Sequence, residues 1–310
     1  MKKFNLAITI KSFNSDSLSR YDLKKNCIIS FLNTTGRHLT EPELIEALKQ
    51  ADGVIAGTER FSQKVLKSSP RLKVISRVGV GLDTIDLEVA KKYKIKICST
   101  PESPVQAVAE HTLALLFSLM KHIPMYNSNM RTGNYQLRPG SLLYGKTVGI
   151  VGMGRIGQKV AAYLAGFGCR IVYYDPFVQK EMPVTWEKMT RLEELVKISD
   201  IITLHSPPQQ DGSPIITAEL MEKFRRGVII INTARGSILD EQALMKGLDS
   251  EIISGAGLDV FSYEPYAGSL LKYPQVIVTP HVSSNTLESR NQMEMEAVDN
   301  ILTAIKDVVQ

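Results

Sequence analysis

The chain has only three cysteines, Cys27, Cys98 and Cys169, among 310 residues. An odd count with no CxxC spacing excludes a disulfide framework and a thiolate zinc site, leaving buried thiols in a reducing cytoplasm as the expectation. No HExxH run occurs, and the neighbours Glu110 and His111 fall on different faces of a predicted helix, so no metal is expected. Long apolar runs are missing too. The longest, TLALLFSLM, is far below a membrane span and lies beside His111 and Lys121. In the opening MKKFNLAITI the apolar stretch lasts only from Leu6 to Ile10, too short for a signal sequence; it predicts a first strand. These absences lead us to expect a soluble, cytoplasmic protein with no membrane partner. The net charge of +5 comes from scattered lysine pairs such as Lys24-Lys25 and Lys91-Lys92, without a basic run or interleaved aromatics. That distribution argues against nucleic acid and suits a small anionic substrate.

What is present is an ordinary apolar fraction of 44%, spread over a length that allows two domains. Short β-branched runs (NLAITI, CIISFL, GVIAG, LKVISRV, IKICST) alternate with helical patterns such as TEPELIEALKQ, where Thr40 and Glu43 form a capping-box pair. Alternation of this kind predicts βαβ units on a parallel sheet. It breaks at TPESP, where Pro101 and Pro104 bracket a domain crossing. A long apolar helix, about Val105 to Lys121, and a polar arm through RTGNYQLRPG follow. Six further strands are predicted: KTVGIVG, RIVYYD, DIITLHS, GVIIINTA, ISGAGLDV and VIVTPHV. The last helix, from about Leu287 to Val309, is placed back with the first half. The expected fold class is therefore α/β, with two doubly wound parallel-sheet domains, residues 102–285 being inserted into a domain made of 1–101 and 286–310.

The strand TVGIVG runs into Gly152-Met153-Gly154-Arg155-Ile156-Gly157 and then a helical pattern. A lone GxGxxG means little, but this context is what a dinucleotide needs. Gly152 permits the tight turn, Gly154 lets the backbone approach a pyrophosphate, and Gly157 allows close helix–strand packing. The next strand ends at Asp175, 18 residues beyond Gly157, near the spacing expected of a carboxylate on a ribose hydroxyl. Asp175 would repel a 2′-phosphate, and Pro176 follows it rather than an arginine, so NAD is expected over NADP.

Reduction of a 2-oxo acid also needs a cation for the carboxylate, a proton donor and a group that holds the donor. Arg235 follows the strand Val228 to Asn232, Glu264 comes shortly after another strand, and His281 ends the last one. Arginine binds carboxylates in two-point fashion, histidine titrates near neutrality, and carboxyl ends of parallel strands open onto the dinucleotide crevice. Taken singly, each has a bland reading as a surface cation, a solvated acid or a packed histidine. Three such residues in one cofactor domain make a catalytic set: Arg235, Glu264, His281.

The stretches VGMGRIG, INTARGSILDEQAL, GAGLDVFSYEP and TPHVSSNT closely resemble the D-isomer-specific 2-hydroxyacid dehydrogenases, and SRVGVGLDTIDLEVA and VAEHTLALLFSLM extend the resemblance through nearly the whole chain. The resemblance implies a Rossmann domain for NAD inserted in a flavodoxin-like substrate domain. It implies that Arg235 binds the substrate carboxylate and carbonyl, that His281 is the acid/base, and that Glu264 pairs with it. Cofactor contacts carry over to Arg155, Ile156, Asp175, Pro207, Thr233, Ala234 and Asp259, the last facing the nicotinamide carboxamide, while His205 lines the groove. The turn Val78-Gly79-Val80-Gly81 would offer N–H groups to the substrate carboxylate. A hinge that closes over substrate and a homodimer built on Val105 through RTGNYQLRPG are also implied.

Within the family the chain looks nearest to phosphoglycerate dehydrogenases, with Arg77 standing where they carry an arginine near the phosphate. Two departures stand out. Pro104 replaces a frequent asparagine, and Ala56-Gly57 replace an arginine-serine pair, although Arg60 is near. No regulatory serine-binding domain is expected beyond the last helix. D-3-phosphoglycerate oxidation in serine biosynthesis is the first expectation, and glyoxylate or hydroxypyruvate reduction the alternative. The formate-oxidising relatives carry glutamine where Glu264 stands, which sets them aside. A reading of another class is an NAD-sensing corepressor that binds peptides, against which the lack of a disordered tail speaks.

Overall fold

The computed structural model describes residues 3–11, 13, 23 and 27–309. The chain divides into two compact units, one from Met1–Pro104 and Thr286–Gln310 and the other from Val105–Asn285.

Among the described residues, the first unit holds β1 (Phe4–Ile8), β2 (Cys27–Leu32), β3 (Gly53–Ala56), β4 (Val74–Arg77) and β5 (Lys96–Cys98). All pair in parallel in the order β2-β1-β3-β4-β5. This is the flavodoxin-like order, which places a topological switch point between β1 and β3. Every residue of β3 and β4 is buried, as expected of parallel strands covered on both faces. The helix Leu287–Val309 supplies one cover: Met293, Ala297, Val298, Ile301 and Ala304 pack with Leu6, Ile8 and Ile55. Burying one side chain such as Ile301 stabilises the unit by roughly 1.5–3 kcal/mol. The Ser76 hydroxyl donates to the Ala297 carbonyl at 2.9 Å and fixes the helix on β4. The helix Glu41–Leu48 starts as its sequence suggests, with Glu43 reaching back to accept from the Thr40 N–H at 2.8 Å.

The second unit holds β6 (Thr147–Val151), β7 (Arg170–Tyr174), β8 (Trp186–Lys188), β9 (Ile201–Leu204), β10 (Val228–Asn232), β11 (Ile253–Leu258) and β12 (Val276–Val278). Their parallel order is β12-β11-β10-β9-β6-β7-β8. The order reverses at β6 and β9, the Rossmann switch point. The doubly wound architecture agrees with the sequence reading, with two additions. β8 was not predicted, because WEK is three residues at a sheet edge with no buried residue. The helix Ile123–Arg131 stands within the segment expected as an arm; it has no buried residue, so its apolar pattern carried no inward face.

The helix Val105–Met120 lies over β11. A Cβ on Gly257 would sit 3.0 Å from Leu115 Cβ, and one on Gly255 3.3 Å from Leu119 Cδ2, so the missing side chains let the helix ride close to the strand.

Candidate active site

The helix Arg155–Gly166 begins at Gly154, directly after β6. Gly152 has φ +94°, and a Cβ there would meet Ser206 Oγ at 2.5 Å and the His205 carbonyl carbon at 2.7 Å. The crowding follows from topology, since β6 and β9 are neighbours and both chains leave the sheet here. A Cβ on Gly157 would come 2.1 Å from the Gly152 oxygen, so the helix packs on the turn only without one. At Gly154 the situation is the opposite. It is exposed, and an added Cβ would touch no heavy atom. Open space therefore stands at a helix N-terminus, beside Arg155 and Ile156, where the dipole and first-turn N–H groups favour a phosphate.

Asp175 follows β7. One carboxylate oxygen accepts from the Met153 N–H at 2.7 Å; the other accepts from Phe177 and Val178 at 2.8 and 3.0 Å. A carboxylate can accept about four hydrogen bonds, so capacity is left for a ribose hydroxyl at the lip of the turn. The donor set and the open turn fit a dinucleotide. Pro176, which follows, is exposed. His205 directly follows β9, with Nε2 2.9 Å from Thr203 Oγ1, and burial pushes its imidazole down to about 3. It is neutral at physiological pH, which suits a groove wall and not a proton donor; Pro207 stands exposed two residues on. Thr233 and Ala234 follow β10. The Thr233 hydroxyl lies 2.9 Å from that of Thr112, which donates to the Val108 carbonyl. The Asn232 side chain accepts from the Ala234 N–H at 3.1 Å and donates to the Arg235 carbonyl at 2.8 Å, holding this turn.

Arg235, Glu264 and His281 all leave the carboxyl side of the same sheet, after β10, β11 and β12. Arg235 Nη1 donates to the Ala234 carbonyl at 2.7 Å. The next residue explains how its turn meets the Glu264 loop: a Cβ on Gly236 would lie 1.8 Å from the Phe261 carbonyl carbon. Glu264 Oε1 accepts from the Phe261 N–H at 3.1 Å, and His281 Nδ1 lies 2.8 Å from Glu264 Oε2. A carboxylate only accepts, so Nδ1 carries the proton and Nε2 remains for exchange with a substrate. Burial pushes the Glu264 carboxyl up, but the hydrogen bond and charge of His281, the Phe261 N–H and the Arg235 charge together hold it below the usual range. Both partners keep over a third of their side-chain surface in solvent, so the pair is reachable.

Asp259 is fully buried. Its carboxylate accepts from Thr279 Oγ1, Val282 N and Ser283 N at 2.6, 2.9 and 2.8 Å, placing it inside the turn that carries His281. His111 Nε2 lies 3.0 Å from Thr279 Oγ1. Neither His111 nor Thr279 was singled out from sequence as a site residue, and no local motif joins residues 168 positions apart.

In the first unit, Arg77 ends β4 and is buried. Its Nη1 donates to the Val78 carbonyl at 2.5 Å and would lie 3.2 Å from a Cβ on Gly79, so the guanidinium is folded beneath the turn. The Val78 N–H donates to the Ala56 carbonyl and the Gly79 N–H to Thr100 Oγ1. Those of Val80 and Gly81 have no hydrogen-bond partner among the described residues. Glu59, also unflagged by sequence, is 4% exposed, its oxygens 3.1 Å from where a Gly57 Cβ would be. Neither oxygen makes a full hydrogen bond with a described residue, the Gly57 and Glu59 N–H groups facing it only loosely. Burial pushes this carboxyl up, against the opposing charges of Arg77 and Lys11. Among the described residues no cluster suited to a metal ion occurs and no helix is long and apolar enough to cross a membrane.

Comparison with known proteins addresses the same segments. Residues 113–283 match the model of the D-isomer specific 2-hydroxyacid dehydrogenase NAD binding domain. A hydroxypyruvate reductase of Thermotoga maritima is 35% identical over 278 residues, which is 87% of this chain and 90% of the relative. A D-3-phosphoglycerate dehydrogenase of Mycobacterium bovis is 34% identical over 268 residues, 85% of this chain but 51% of the relative, so the chain spans about half the length of that protein. The structure of D-lactate dehydrogenase from Aquifex aeolicus, complexed with NAD and lactic acid, superposes with a TM-score of 0.85 at 28% identity, covering 98% of this chain and 96% of that one. With a glycine turn at the switch point, a histidine–carboxylate pair beside an arginine, and a family match over more than half its length, the chain belongs to the D-isomer-specific 2-hydroxyacid dehydrogenases.

Proposed function

We propose that this chain interconverts a D-2-hydroxy acid and its 2-oxo acid with NAD. The observation that carries the reading is the His281–Glu264 pair at 2.8 Å, on the sheet whose first strand enters the dinucleotide turn. In this reading the Val105–Asn285 unit takes NAD. The Gly152–Gly157 turn with Arg155 and Ile156 holds the pyrophosphate, Asp175 with Pro176 meets the ribose, and His205, Pro207, Thr233 and Ala234 line the groove. Bound NAD supplies the hydride chemistry at its nicotinamide ring. Arg235 grips the substrate carboxylate and polarises the carbonyl. His281 Nε2 gives a proton to the carbonyl oxygen in reduction and takes it from the hydroxyl in oxidation. Glu264 holds the other ring nitrogen and stabilises the imidazolium as it forms or is consumed. The other unit binds the rest of the substrate through Arg77 and the turn Val78-Gly79, in which the Val80 and Gly81 N–H groups are available to an anion.

For the substrate, we propose D-3-phosphoglycerate first, supported by the identity to the mycobacterial enzyme and by the stretch around Arg77. One observation favours glyoxylate or hydroxypyruvate instead: Arg77 is folded under its own turn beside a buried acid, and Ala56-Gly57 bring no cation. Purified protein with NADH and a panel of 3-phosphohydroxypyruvate, hydroxypyruvate and glyoxylate separates these. Fastest NADH loss with the phosphorylated acid supports the first choice, and turnover of only the smaller acids overturns it. No turnover with any, alongside tight NADH binding, returns the corepressor reading.

The segment after the helix Val105–Met120 exposes Ile123, Met130, Tyr135, Leu137, Leu142 and Tyr144, each more than half accessible. Exposed apolar residues gathered in one segment support reading it as an association surface. We assign it to a second copy of the chain, and expect a homodimer in light scattering that Leu137→Asp weakens.

A further inference from the structure

His281 stands in a left-handed backbone conformation, φ +53°. For a residue with a Cβ this costs roughly 1–2 kcal/mol, so surrounding contacts must hold it. They come from Asp259. Its backbone carbonyl accepts from the His281 N–H at 2.8 Å, while its carboxylate takes the N–H groups of Val282 and Ser283, one and two residues on. Thr279, two residues before His281, gives its hydroxyl proton to the same carboxylate at 2.6 Å. That hydroxyl has no second proton, so across the 3.0 Å contact His111 Nε2 must be the donor. The same nitrogen lies 3.6 Å from Asp259 Oδ1.

Two periodicities bring His111 to this point. His111, Leu115 and Leu119 recur every four residues and share one face of their helix; Gly255, Gly257 and Asp259 recur every two and share one face of β11 and its extension. Leu119 rides on Gly255 and Leu115 on Gly257, so the next position along the stripe sets His111 over Asp259.

We propose that His111 is a positioning residue for the reaction, acting through Thr279 and Asp259 on the turn that carries His281. It donates into the hydroxyl–carboxylate system that pins the turn, and thereby sets where His281 Nε2 stands relative to the substrate carbonyl. The proposal rests on the reading of His281 as the acid/base.

The test compares His111→Phe, which keeps a ring and removes the donor, with His111→Gln, which keeps a donor. Thr279→Val and Thr279→Ser form a second pair that leaves the helix untouched. NADH affinity stays near wild type in all four and all four fold, with Thr279→Val melting lower because it takes a donor from a buried carboxylate. With the 2-oxo acid that the wild type reduces fastest, kcat falls about tenfold to a hundredfold in His111→Phe and Thr279→Val, as expected for a small displacement of a catalytic group, while KM changes little. His111→Gln and Thr279→Ser recover most of it, and the double variant His111→Phe/Thr279→Val is no worse than either single one. With only five histidines in the chain, the imidazole NMR signal of His281 can be followed, and it moves in His111→Phe. Wild-type kcat and an unmoved His281 signal in folded His111→Phe overturn the proposal, as does a loss confined to NADH affinity. His281→Ala keeps the two readings apart: near-normal turnover there sinks the acid/base assignment itself, whereas an inactive His281→Ala beside a fully active His111→Phe sinks only the role of His111.

Discussion

The two sheets are built on one plan, yet the pair Glu264 and His281 in one unit and the pair Glu59 and Arg77 in the other are set in opposite ways. In the second unit Glu264 and His281 are more than a third exposed and face each other at 2.8 Å. In the first, Glu59 and Arg77 are buried to within a few per cent. An exposed, paired carboxylate stays ionised cheaply, and its partner is open to solvent. A buried carboxyl without a full set of donors is costly to ionise and stabilises nothing by itself. Half-open pairing suits proton transfer, while burial suits shaping a turn, as Arg77 does beneath Val78 and Gly79.

The hardest blow to this contrast is His281→Ala. Turnover falls about 10²–10⁴-fold while NADH affinity, measured by fluorescence titration, is kept. If turnover survives, the exposed pair is mere surface chemistry. Gly236→Ala comes next. A methyl placed 1.8 Å from the Phe261 backbone must push the Arg235 and Glu264 turns apart, costing about 1–3 kcal/mol in denaturant melts and lowering kcat with it. Glu264→Gln should act more gently. The amide keeps a partner for the ring nitrogen but not the negative charge, so kcat falls by less than in His281→Ala, about tenfold, with NADH affinity kept in the same titration.

Glu59→Gln has the smallest effect and the opposite sense, stabilising the protein at neutral pH by about 1 kcal/mol. The sign follows from burial. The folded carboxyl titrates above its unfolded value, so the folded state binds more protons in that window, and the wild type loses stability as pH rises through it. The gain over wild type should therefore be present at pH 7 and vanish below the unfolded carboxyl range near 4.5. A Glu59→Gln protein less stable than wild type at pH 7 would erase the contrast between the units.

Much of the site was legible because its chemistry is local in sequence. Gly152, Gly154 and Gly157 meet their turn within six residues of chain, and strand periodicity set Arg235, Glu264 and His281 at or shortly past strand ends; in the fold they stand three, six and three residues past β10, β11 and β12. Other parts were hidden for physical reasons. β8 is too short and too polar to show alternation, and gains its place by pairing with β7 at the sheet edge. His111 looked like a polar residue at the start of an apolar helix. Its partner Thr279 is 168 positions away, and only packing of Leu115 and Leu119 on two glycines brings them together. Arg77 carries no local signal of its burial, which its surroundings in the fold set.

By itself the sequence determined the parallel α/β plan, the glycine turn after β6 and the residue types that stand past β10, β11 and β12, because each depends on backbone sterics and short-range periodicity. Only the tertiary structure decided which groups are buried, which nitrogen of His281 is committed to Glu264, and that Asp259 and His111 stand behind its turn. Those follow from distances between chain segments far apart in sequence, set by how helices and strands pack.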